Sequence, residues 1–110
     1  MPLDADGYPS DEDLKRIAQW AGDWHALMAC CRECWNYADI GFWVEDDTTD
    51  DMRGVRAVRY RLATGGWSGN ESVIAALRDN YIFTLMHWWG SLRGGLHIYV
   101  IPKEEAPDAE

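Results

Sequence analysis

Between residues 10 and 35 the apolar positions recur at helical spacing. Leu14, Ile17, Ala18 and Ala21 fall at i, i+3, i+4 and i+7, behind Ser10 as an N-cap. Asp11, Glu12 and Asp13 then face the positive end of this first helix. Gly22-Asp23 is a break and a second cap. Beyond it Trp24, Leu27, Met28, Cys31 and Trp35 form the clearest helical stripe in the chain. After Tyr37 the period shortens. Residues 40–45 (IGFWVE) read as a strand and 46–54 as an acidic turn. In residues 55–63 (VRAVRYRLA), Val58, Tyr60 and Leu62 point one way and Arg59 and Arg61 the other.

A glycine-rich loop over 64–69 leads into a third helix over 70–79, with Val73, Ile74 and Leu77 as its apolar face and Asn80 as its C-terminal cap. Residues 81–89, rich in β-branched and aromatic side chains, read as a strand. Residues 90–95 (GSLRGG) read as a turn, and 96–101 (LHIYVI) as a last strand ending at Pro102. The order α-α-β-β-α-β-β predicts an α+β fold, with a mostly antiparallel four-stranded sheet and helices on one face. Residues 1–9 are expected to be a flexible lead, 10–101 the domain, and 102–110 an acidic tail.

At 110 residues the chain suits one domain. Its 47% hydrophobic and 26% charged content argues against disorder or a fibrous fold. No apolar run approaches the roughly 20 residues of a membrane span, and the acidic start argues against a secretory signal. Cys30, Cys31 and Cys34 crowd one segment, which suits a reducing, cytoplasmic setting. The formal net charge of -9 is uneven: residues 53–100 hold six arginines against only Glu71 and Asp79. The acidic total disfavours binding to double-stranded nucleic acid, while the positive half leaves room for a small anion.

The densest motif is Thr64-Gly-Gly-Trp-Ser-Gly-Asn-Glu-Ser72, between a strand and a helix. Gly65, Gly66 and Gly69 permit close backbone approach, a helix start collects free N–H groups, and Ser68 and Asn70 add donors, which together suit phosphate or carboxylate. If an anion sits there, Arg93 is the first arginine expected beside it, and Arg59 and Arg61 the second choices. The architectural alternative has Ser68 or Asn70 capping the helix and Trp67 filling the core. The loop lacks the Gly-Lys-Ser/Thr ending of a Walker A motif. It also lacks the βαβ setting of a dinucleotide fold. Gly66-Trp-Ser-Gly-Asn70 brushes a serine-hydrolase elbow, but Asn70 stands where that motif has glycine. A histidine within reach of Ser68 would be the sign of catalysis.

Cys31-x-x-Cys34 has metal-ligand spacing but no second ligand pair, so the cysteines read as core and no metal or cofactor is assigned. His87 and His97 read as structural. Trp88 and Trp89 are consecutive on a strand and face opposite sides, so one is a candidate for a partner surface, together with the acidic run Asp46, Asp47, Asp50 and Asp51.

The TGGWSGNE segment, with Leu77 and the later Arg93-Gly-Gly95 before a short apolar strand, resembles small uncharacterised proteins encoded by bacteriophages, notably actinobacteriophages, and prophages. The likeness covers residues 55–101. It implies a phage context and no transferable activity. The expected function is therefore a non-enzymatic accessory protein that binds, and inhibits, a host protein in the host cytoplasm. The alternatives are a nucleotide- or anion-sequestering protein using the glycine loop and arginines and, third, a small hydrolase or transferase. Open sheet edges make a homodimer a further expectation.

Overall fold

The computed structural model describes residues 3–50 and 53–103, with the backbone alone at Asp47. Ser10 caps α1 (Asp11–Ala18), its hydroxyl accepting the Asp13 N–H at 3.0 Å. Asp23 caps α2 (Trp24–Glu33) by accepting from Ala26. A single turn, α3 (Ala38–Gly41), precedes β1 (Phe42–Asp50) and was not expected from the sequence. Then follow β2 (Val55–Ala63), α4 (Ser68–Asp79), α5 (Tyr81–His87), β3 (Trp88–Leu92) and β4 (Leu96–Pro102). The fold is α+β. The strands form an antiparallel sheet in the order β1-β2-β4-β3, so β1 and β3 are its edges.

Alternation along β2 divides the molecule. Val58, Tyr60 and Leu62 join Tyr99 and Ile101 of β4 beneath the helices, where Ile17, Leu27, Met28, Cys31, Leu77 and Phe83 complete the main core. Ala57, Ile98 and Val100 face the opposite way and form a smaller apolar cluster with Leu96. On that side Arg61 stacks on Trp43 (5.1 Å) and Arg59 on Trp89 (5.7 Å), while Glu45 stands 4.0 Å from both guanidinium groups.

Three expectations are corrected. The acidic run is not a turn: β1 continues to Asp50, and a bulge at Asp46 and Asp47 absorbs the extra residue between the Glu45–Arg59 and Thr48–Ala57 pairs. Residues 81–89 are not one strand. The Asn80 side chain accepts from Phe83 N–H and starts α5, whose Phe83 and His87 are buried four residues apart; the strand begins only at Trp88. That strand then runs to Leu92, which shortens the expected 90–95 turn.

Candidate functional site

The glycine loop is filled from within the chain. Asn70 is 2% exposed: its Oδ1 accepts the Asn36 N–H at 2.8 Å, and its amide donates to the carbonyls of Asn36 (3.0 Å) and Thr64 (3.3 Å). Asn70 therefore ties the loop to the end of α2 and presents no donor to solvent. Trp67, not Ser68 or Asn70, occupies the N-cap position, with no side-chain cap. Within the lead expected over residues 1–9, Leu3 bridges to Pro9, and Gly7 and Tyr8 pack on this loop. Tyr8 stacks on Trp67 (5.3 Å between rings), its hydroxyl meets Ser68 Oγ at 3.0 Å, and Trp67 Nε1 donates to the Gly7 carbonyl. The partner of the Ser68 hydroxyl is thus a tyrosine, not a histidine.

Of the expected arginines, only Arg93 lies on a segment tied to this loop: the Thr64 N–H donates to the Gly95 carbonyl at 3.0 Å and draws the β3–β4 turn alongside. Arg59 and Arg61 lie on the helix-free face of the sheet. Gly65 and Gly66 are exposed and left-handed, and Gly69 is buried against Trp67 and Tyr8.

The histidines and cysteines are engaged in the fold. His25 bridges α2 to the sheet. A proline carbonyl can only accept, so Nε2–H donates to Pro102 (2.8 Å) and Nδ1 receives the Tyr60 hydroxyl (2.7 Å). Burial pushes the Cys31 thiol up, and the Cys34 thiol up to about 12, which keeps both protonated and poor as nucleophiles or ligands. Among the described residues no three metal-ligating side chains converge.

The surface that stands out was only half visible in the sequence. Trp88 and Trp89 are both exposed, at 50% and 59%, and they do face opposite sides: Trp88 pairs with Tyr99 on the helix side, while Trp89 meets Arg59 on the other. The outer face of α5 is apolar as well. Tyr81 and Leu85 are each 74% exposed, with Ile82 and Met86 beside them; Leu92 of β3 is exposed too, on the side of its partner Leu96. No Asp, Glu, Lys or Arg occurs between Asp79 and Arg93. That uncharged interval was the available signal for this face, masked by reading 81–89 as a strand.

The acidic candidates are placed differently. Asp46 is exposed beside the bulge, and its carbonyl receives Lys103 Nζ at 3.1 Å. Asp50 is buried, accepts the Arg53 backbone N–H and pairs with the Arg53 side chain, which in turn donates to the Met86 carbonyl at the end of α5. Asp50 thus secures the hairpin to α5 and does not belong to an exposed acidic surface. Asp51 lies outside the described residues.

Among the described residues no helix is long and apolar enough to cross a membrane. Comparison of the chain with protein-family models, curated proteins and solved structures finds no match.

Proposed function

We propose that this protein acts by binding another protein through the uncharged surface of α5 and β3. The observation that carries this reading is the exposed row Tyr81, Ile82, Leu85 and Met86 on α5, followed by edge strand β3, which exposes Trp88 on the helix side and Trp89 and Leu92 on the other. A helix that is apolar on its outer as well as its inner face is stabilised by being covered. An edge strand without charges offers free backbone groups to a partner strand.

The rim of the surface sets the partner's chemistry. Arg53 reaches Met86 and Arg59 covers Trp89, each beside a carboxylate of this chain, while Arg78, which borders a cavity with Trp88, and Arg93, which follows Leu92, make no ion pair among the described residues. A second copy docked about a twofold axis would set arginine against arginine. A partner with carboxylates around an apolar segment meets both features. The resemblance to phage-encoded proteins supports a bacterial host protein as that partner, blocked by occupation of its own contact surface.

A photo-crosslinking residue at position 85 tests this, with one at exposed Glu12 on α1 as the control. An adduct of one discrete heavier mass is expected from position 85 and not from position 12. An adduct at twice the chain's own mass would assign the surface to a second copy, and equal labelling from both positions would refute the reading.

A further inference from the structure

A cavity of about 300 Å³ opens on the helix side of the sheet, and no residue of the glycine loop lines it. Arg78 and Ile74 of α4 with Thr84 of α5 form one wall, Trp88 and Ser91 of β3 another, and His97 and Tyr99 of β4 the floor. That volume is at the lower end for small-molecule sites.

The polar groups inside are linked. Trp88 Nε1–H can only donate, and it donates to Ser91 Oγ at 3.0 Å; Ser91 Oγ lies 2.8 Å from His97 Nδ1. Burial and the nearby Arg78 charge hold the His97 pKa below its ordinary value, which favours a neutral ring. In the arrangement that satisfies all three groups, the Ser91 O–H donates to an unprotonated Nδ1, and the ring carries its hydrogen on Nε2 as a donor. The relay also fixes the indole of Trp88, half of which remains exposed, as a flat apolar wall. Arg78 is exposed and, like Arg56 and Arg93, makes no ion pair among the described residues, whereas Arg16, Arg32, Arg53, Arg59 and Arg61 each face a carboxylate; of the three, Arg78 is the one that lines the cavity.

We infer that this cavity is a binding site for a small aromatic or heteroaromatic anion. The ring lies against Trp88 and Ile74, its polar edge meets the Ser91–His97 pair, and its phosphate or carboxylate pairs with Arg78. The site is separate from the protein-binding surface in its chemistry and in its test, although Trp88 borders both.

Calorimetry on the purified chain decides it. The probes are the four nucleoside monophosphates, 4-hydroxybenzoate, indole-3-acetate and inorganic phosphate. Saturable one-site binding of a nucleotide or an aromatic carboxylate is expected, the responding arm identifying the anionic group. Arg78→Gln should weaken it about tenfold or more, as loss of a charge-assisted contact does. Arg93→Gln, on the β3–β4 turn, should change it less than about twofold, within surface-charge effects. Both arginines are exposed, so both variants should fold. No saturable heat with any aromatic probe, binding unchanged by Arg78→Gln, or inorganic phosphate binding as tightly as the aromatic anions would each overturn the inference.

Discussion

The side-chain amide of Asn80 donates to the carbonyl of Ile17 at 2.9 Å, joining the junction of α4 and α5 to the end of α1 across sixty-three positions of sequence. The same amide donates to Trp20, and its Oδ1 accepts from Phe83, so one buried side chain ends one helix, starts the next and anchors a third. Asn80→Ala removes the cap of α5 and the donor to the Trp20 carbonyl, and leaves the Ile17 carbonyl with the Trp20 N–H alone, a loss of about 2–4 kcal/mol. Asn80→Asp keeps the acceptor for Phe83 but turns a carboxylate toward two carbonyl oxygens. Urea unfolding should therefore rank wild type above Asn80→Ala, and Asn80→Ala above Asn80→Asp. Equal stability of wild type and Asn80→Asp would refute the assigned hydrogen bonds.

Two left-handed glycines differ in what surrounds them. At Gly66 (φ 76°) an added methyl group meets open space, so Gly66→Ala incurs only the backbone strain, about 1 kcal/mol. At Gly95 (φ 82°) the same methyl group would lie 2.4 Å from Thr64 Oγ1, in the contact that holds the β3–β4 turn against the glycine loop. Gly95→Ala should lower the melting temperature clearly more than Gly66→Ala. The reverse order would place the turn elsewhere.

His87 makes stability depend on pH in a stated direction. It is 3% exposed, packed against the Trp24 and Phe83 rings, with Nδ1–H donating to the Val100 carbonyl and no hydrogen-bond partner for Nε2 among the described residues. Burial first, and then the Arg53 charge, lower its pKa from 6.5 to about 4. The unfolded chain therefore takes up a proton near pH 6.5 that the folded chain refuses until about pH 4, and stability falls as pH drops through that window. The loss is on the order of 3 kcal/mol. In His87→Phe the difference between urea midpoints at pH 7 and pH 4 should shrink. An unchanged difference would show that other groups set the acid sensitivity.

The sequence was most readable where one face of an element is buried and the other is wet. β2 shows this best: Val58, Tyr60 and Leu62 against Arg59 and Arg61 leave one register possible. The α2 stripe is equally plain. Residues 81–87 hid their helix because apolar side chains lie on both its faces, Phe83 and His87 inward and Tyr81, Ile82, Leu85 and Met86 outward, so no period survives. The local cue was Asn80, readable as an N-cap as easily as a C-cap. The glycine loop was visible as a motif, but its filling depends on Tyr8 and Asn36, distant residues whose approach no local pattern encodes. The cavity at Arg78 shares that property, since four elements build it.

Leu85 bears most directly on the proposed function, because it is among the most exposed apolar residues of α5 and contributes nothing to the buried core. Leu85→Glu should leave the urea midpoint within about 0.5 kcal/mol of wild type, as surface substitutions do. Cell extracts crosslinked through a photoreactive residue at position 82, with and without Leu85→Glu, should show the discrete heavier adduct in the parent and its loss in the variant. An adduct that persists at full yield in a variant of unchanged stability would contradict the assignment of α5 and β3 as the partner-binding surface.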